Sequence, residues 1–409
     1  MYQISFAQEP NVARIRETVQ KTEMDLSNSA NLCWSYLPNQ PLTSGIASDN
    51  ENSVFIAFYG GSISSISQNA GKKMWDSDLG GEIISSPLYD SNHIYILSRS
   101  RSGIENIENR ESKESINSEK KNDSNVIVRS LNSVSGVTEW QTKQHIETSD
   151  AHSGSLQNVT LHIFEGNLLL ITDFGNLYFY DKSDGHLDQK ILLNSKLSAL
   201  PFFTGDKIIL GTADKKVILY SLSDKKISSI FEASAAPTVF YYSQTNEDLY
   251  WGDNRGLLAR LDLGSSGGRR NKKPDKKPKW IFRSGAAISN IVSTADCILI
   301  SSLDNFVYLI SKRDGKLIWK KRFSDKIISE PMIDGRYVLI MPDAERFGLV
   351  LNLSDGGTVN KFALPEDNIS DGNPIKVGNK FIFPALRGLF AFSVNGGCSV
   401  VGQTAKKPT

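Results

Sequence analysis

The chain has 409 residues, a net charge of +1, 39% hydrophobic and 22% charged residues. That balance suits a soluble folded protein and provides no global field to attract nucleic acid or a membrane surface. No apolar run reaches the roughly 20 residues of a membrane-spanning helix. Cys33, Cys297 and Cys398 are far apart and form no CxxC pair, so neither a disulfide framework nor a redox compartment is expected from them.

Residues 1–29 are polar and read as a solvated tail, or as a short helix through Val12, Ile15 and Val19. The start, MYQISFAQEP, lacks the charged region and apolar core of a secretory leader; either the protein is not exported or its leader is missing here. Asn31–Leu37 then reads as an isolated strand carrying Trp34.

From there one pattern recurs, most clearly at DNFVYLISKRDGKLIWKK, residues 304–321. Phe306 to Ile310 form a short β-branched and aromatic run, Arg313-Asp314-Gly315-Lys316 a turn, and Leu317-Ile318-Trp319 the return strand. Related units begin near Ser53, Ile83, Asn167, Leu197, Ala235, Ile327 and Asn373. Their closing positions keep a period near 40. Trp34 and Trp75 are 41 apart, Lys190 and Phe231 41, Trp280 and Trp319 39, and Trp319 and Lys361 42. A proline recurs near the start of the units, at Pro87, Pro201, Pro237, Pro331 and Pro374, as suits a strand start or edge.

Four short strands in each 40-residue repeat specify an all-β, eight-bladed β-propeller of four-stranded antiparallel blades. The last unit lacks a fourth strand, and the strand around Trp34 supplies one. Their pairing would close the ring and remove two open sheet edges. The expected organisation is a tail at 1–29, a propeller at 30–396 and a C-terminal tail at 397–409. Two insertions, 101–124 and 264–279, are too polar to bury a core and are expected to be exposed. Trp34, Trp75, Trp140, Trp280 and Trp319 are the expected structural anchors of the blades, with Trp75, Trp140 and Trp319 largely buried.

The endings Gly71-Lys72-Lys73-Met74-Trp75 and Gly315-Lys316-Leu317-Ile318-Trp319 resemble the PQQ-like propeller repeats. That superfamily includes quinoprotein alcohol dehydrogenases and the BamB-like outer-membrane β-barrel assembly lipoproteins. The resemblance covers about residues 31–396 and implies that each Trp packs between adjacent blades. It is degenerate where Gln189/Lys190, Phe231 and Lys361/Phe362 stand in place of Trp. It points to the non-enzymatic BamB-like group, and so to protein or peptide partners and a place in the cell envelope; without an exported form the protein would be cytoplasmic.

No residue set supports catalysis. Quinoprotein dehydrogenases carry adjacent cysteines and acidic Ca²⁺ ligands, and this chain shows neither pattern. Asp181, Asp184, Asp224, Asp314 and Asp355 all fall at hairpin turns, where Asp serves local hydrogen bonding. His93, His145, His152, His162 and His186 show no metal-ligand spacing. Leu32-Cys33 is only superficially like a lipoprotein box.

The basic run Arg269, Arg270, Lys272, Lys273, Lys276, Lys277 and Lys279 is the one candidate contact, for an anionic partner. It has no interleaved aromatic residues, which argues against nucleic acid. The expected function is a non-catalytic scaffold for protein–protein interaction, monomeric on its own, with no cofactor or metal. The alternatives are a PQQ-dependent dehydrogenase and a carbohydrate- or polymer-binding propeller.

Overall fold

The computed structural model describes residues 26–99, 124–146, 159–164, 166–193, 195–264, 277–343, 345–365, 367–394 and 398. These form eight antiparallel sheets and no helix. The blades are 42–78, 82–146, 160–192, 202–232, 237–283, 288–322, 332–363, and last 375–394 with Ala30–Tyr36, here numbered 1 to 8. First strands of neighbouring blades contact one another across blades 4, 5 and 6 and across blades 8, 1, 2 and 3, on the side of the axis. Second and third strands are almost wholly buried, as in Ser53–Phe58 and Lys380–Ala385, because a blade packs on each face. This is why they read as continuous apolar runs. Fourth strands alternate exposed and half-buried positions on the rim, as in Lys73–Asp78.

Ala30–Tyr36 pairs antiparallel with Gly388–Val394, setting Trp34 opposite Ala391, so the N-terminal strand closes the ring. Blade 3 also contains a first strand that the sequence reading lacked, Thr160–Phe164.

Five seams between blades share one device. The indole N–H of Trp34 donates to the Gln68 carbonyl at 2.9 Å, Trp75 to Ser133 at 3.0 Å, and Trp140 to Lys182 at 2.9 Å. Trp280 donates to Lys312 at 2.9 Å and Trp319 to Leu353 at 2.8 Å. Each acceptor lies in the turn between the third and fourth strands of the next blade, and a glycine of that turn rests on the ring. A Cβ at Gly71, Gly136, Gly185, Gly315 or Gly356 would fall 2.4–2.9 Å from an indole carbon. All five have φ between +64° and +74°, the left-handed region open to glycine. Trp34 and Trp319 are buried, while Trp75, Trp140 and Trp280 are half-buried.

The other three seams correct the sequence alignment. Trp75 pairs with Ser65 and Trp319 with Leu309, each beside a bulge. The residues in that register are Gln189 in blade 3, Ser229 in blade 4 and Asn360 in blade 7. Phe231 and Phe362 are therefore not the Trp equivalents. They lie two residues further along the strand, on the same face, and are buried in the seams from there. The facing turns also differ. Blade 4 has Lys225 at φ +53° in its turn, and blade 5 has the long 263–279 connection. Blade 8 has no such turn, because its fourth strand comes from the other end of the chain.

Two further expectations are overturned. The reading of 1–29 as wholly solvated fails at Leu26, which is 0% exposed and packs with Phe362, Phe381, Phe392 and Val394 between blades 7 and 8. Asn360 Nδ2 donates to the Leu26 carbonyl at 3.0 Å and to that of Asn28 at 2.5 Å, anchoring this stretch where another blade has Trp. The cysteines are not all isolated either. Cys33 and Cys398 form a disulfide with Cα atoms 5.1 Å apart, across 365 residues of sequence. Cys33 is the bulged residue beside Trp34 and so turns away from the ladder. Cys297 remains a free, half-buried thiol.

The expected helix at residues 12–19, nearly all of the 101–124 insertion and the tail after 398 lie outside the described residues. Ser124 itself belongs to the third strand of blade 2.

Candidate binding face

Antiparallel winding places the turns between second and third strands, together with the blade-to-blade connections, on one face of the disc. The turns between first and second and between third and fourth strands occupy the other. Large exposed apolar side chains divide unevenly. Among the described residues, Leu37, Tyr59, Leu200, Leu303, Ile328 and Leu386 stand on turns and connections of the first face, and Val134 and Val137 on those of the second. The remainder lie on the rim strands. No stretch of sequence could display this asymmetry, since it depends on which turns the winding brings together.

The axial end of the first face is built from hydroxyl relays. Ser198 Oγ donates to the Pro237 carbonyl at 2.7 Å, Thr238 Oγ1 to that of Ile288 at 2.6 Å, and Ser289 Oγ to that of Ile327 at 2.7 Å. Each links one blade's first-strand region to the next blade. Glu330 N–H donates to Asn373 Oδ1 at 2.9 Å. The sequence reading noted the recurring prolines but missed the hydroxyls. The available signal was a Ser or Thr recurring near the blade starts at 198, 238 and 289.

Between blades 3, 4 and 5 this region opens into a cavity of about 230 Å³ lined by Ile171, Asp173, Leu197, Ser198, Leu200 and Thr238, with Ala199 and Pro201. Burial holds the Asp173 carboxyl above its ordinary pKa, opposed by the charge of Lys196 and by backbone amides. Asp173 Oδ1 is shielded and has no hydrogen-bond partner.

On the opposite face, a groove of about 390 Å³ separates blades 5 and 6 and includes Asp248, Tyr250, Arg260, Asp296 and Lys312. Asp248, Arg260 and Lys312 are engaged internally. Arg260 grips Asp248 through Nε at 3.0 Å and Nη2 at 2.8 Å, and Lys312 Nζ donates to the Thr294 carbonyl. Burial lowers the Lys312 pKa.

The basic run leaves blade 5 beside this groove. Arg269, Arg270, Lys272, Lys273 and Lys276 lie outside the described residues. Lys277 and Lys279 are both exposed, and Lys279 pairs with Asp262. The turn aspartates do local work. Asp181 Oδ1 accepts from Ser183 N–H at 2.7 Å, Asp184 Oδ1 from His186 at 2.8 Å, and Asp355 Oδ1 from Gly357 at 2.7 Å. Asp314 Oδ1 accepts from Lys316 N–H at 3.4 Å, and Asp224 stands 3.7 Å from Lys226. His93 pairs with Glu139 at 3.1 Å. His162 stacks on Phe203 with ring centroids 3.4 Å apart, and burial lowers its pKa to about 4. Among the described residues no three His, Cys, Asp or Glu side chains gather as metal ligands, and no helix is long and apolar enough to cross a membrane.

The PQQ-like resemblance is supported by comparison with known proteins. The family model described as outer membrane protein assembly factor BamB, of the PQQ_2 type, matches residues 25–163. No curated protein matches the sequence. Among solved structures, BamB from Moraxella catarrhalis aligns with a TM-score of 0.61 at 17% identity, covering 90% of this chain and 98% of that one. The computationally designed Ika8 protein aligns with a TM-score of 0.66 at 12% identity, covering 89% and 99%. At these identities the structural likeness is one of fold.

Proposed function

We propose that the protein is a non-catalytic binding scaffold that docks a polypeptide partner on the face formed by the second-to-third-strand turns, in the service of envelope or outer-membrane protein assembly. The observation that carries this reading is the uneven distribution of exposed apolar side chains, six on the turns and connections of that face against two on those of the other. Apolar groups presented by turns on a rigid frame are the usual makings of a protein contact. The BamB match over residues 25–163 supports the assembly role. The Cys33–Cys398 bond supports an oxidising compartment, where such bonds persist.

The test is affinity capture with cross-linking from cell envelopes, using the full chain. Leu303→Glu and Leu386→Glu should each deplete the captured partner, while Val134→Glu on the other face should not. Equal depletion by all three, or by none, overturns the choice of face. Addition of PQQ with Ca²⁺ should leave the thermal melt unchanged, and a clear upward shift would favour the dehydrogenase alternative.

A further inference from the structure

We propose that the cavity between blades 3, 4 and 5 is a pocket for an aliphatic cation, the lysine or arginine side chain of the polypeptide that docks on this face. The inference rests on the docking reading above and supplies the chemistry of one contact within it.

The first argument is hydrogen-bond supply. Ser198 and Thr238 both line the cavity, and both have committed their hydroxyl hydrogens to the carbonyls of Pro237 and Ile288. Their free lone pairs can only accept. The Leu197 backbone N–H is likewise committed, to the Asp173 carbonyl at 2.6 Å. Asp173 adds a carboxylate whose Oδ1 has no partner. These side chains thus offer acceptors and negative charge, which suit a group that donates, and a positive donor forms the stronger bond.

The second argument is shape. Ile171, Leu197 and Leu200 give the cavity apolar walls, and Leu200 is 62% exposed at its mouth. A chain of three or four methylenes ending in a cation matches a pocket that is apolar along its sides and acceptor-rich within.

The third argument is that Asp173 has lost water without gaining a close counter-ion. Burial is the largest influence on it and disfavours its charged form. Lys196 acts on it through its field, from an exposed position. A bound cation would compensate the lost hydration at close range.

Three acetylated, amidated Gly-Xaa-Gly tripeptides test the proposal, with arginine, lysine or citrulline at the centre. Saturation-transfer NMR and titration on the full chain would follow binding. The arginine and lysine peptides should bind, and the citrulline peptide, equal in shape but neutral, should bind about tenfold more weakly. Asp173→Asn should weaken the arginine peptide by a similar factor, while Asp325→Asn, elsewhere on the same face, should not. Leu200→Lys places a cation at the mouth from an exposed site and should block the peptide even if Asp173→Asn fails to fold.

Equal binding of the citrulline peptide, or full binding by either pocket variant, overturns the proposal. Binding of free n-butylamine more tightly than the lysine peptide overturns its assignment to a polypeptide side chain. If the tripeptides fail while Leu303→Glu and Leu386→Glu still deplete the partner, the pocket falls and the docking face stands.

Discussion

Five seams of this propeller are stapled by an indole resting on a glycine, and three are not. The contrast shows that ring and glycine go together. Where Gln189 replaces Trp, the facing turn of blade 4 carries Lys225 in the left-handed conformation instead of glycine, and where Asn360 does, blade 8 has no such turn. The glycine matters because a Cβ would collide with the ring, so once the ring is gone the restriction goes too. The unstapled seams are filled differently: Phe231 between blades 4 and 5, Leu26 with a cluster of phenylalanines between blades 7 and 8, and the His162–Phe203 stack between blades 3 and 4.

The sharpest way to break the contrast is to remove a staple. Trp319→Ala should cost roughly 3–5 kcal/mol, as for large buried aromatics, and should also leave the Leu353 carbonyl without its donor. An unchanged melting temperature would show that the staple holds nothing.

Next comes the filled seam. Leu26→Ala should cost roughly 2–4 kcal/mol, as for a fully buried leucine. Deletion of residues 1–29 should cost at least as much, and deletion of 1–38 should prevent cooperative folding by removing the closing strand. Chemical denaturation of the three variants checks the order, and a neutral Leu26→Ala would return that residue to the solvated tail.

His162 marks the seam between blades 3 and 4 with a pH dependence. Its pKa falls from 6.5 to about 4 on folding, so between those values the unfolded chain binds the extra proton. Stability is therefore complete above pH 6.5 and falls as the pH drops toward 4, by at most about 1.4 kcal/mol per unit. His162→Phe, which keeps a ring on Phe203, should flatten that slope in melts taken from pH 4 to 7. A slope that persists unchanged would assign it to other groups.

The smallest effects should have opposite signs in the two kinds of seam. Gly356→Ala should destabilise by roughly 1–3 kcal/mol, through its positive φ and its contact with the ring. Lys225→Gly, at the corresponding turn of the unstapled seam, should stabilise by up to about 1 kcal/mol by relieving a left-handed non-glycine residue. Thermal melts giving the same sign for both would dissolve the distinction.

The ring and its closure were legible in the sequence, because strands buried on both faces spell continuous apolar runs and the Trp-bearing turns repeat. Register was legible only where Trp marked it. At Ser229 and Asn360 a small or polar residue stands beside a bulge, and the nearest bulky residue, two places on, drew the alignment to itself. Leu26 is a single apolar residue in a polar stretch and carries no periodicity. The Cys33–Cys398 pair has no local signature, since its partners meet only when the ring closes. The cavity at Asp173 was equally hidden, being assembled from turns that lie far apart in the chain.

The bond between Cys33 and Cys398 also changes how the molecule bears load. The two strands that close the ring lie in blade 8, with Ala30 opposite Val394, and Leu26 packs beside them. Tension between the two ends would otherwise fall on the ladder joining Ala30–Tyr36 to Gly388–Val394, where the ring is closed without the continuity of the chain. With the disulfide in place the force passes through a covalent bridge beside that ladder, and the chain between the two cysteines, 365 positions apart, is mechanically short-circuited. Pulled from its two ends, the propeller would then be spared between Cys33 and Cys398, and the load would fall on the short stretch that precedes Cys33.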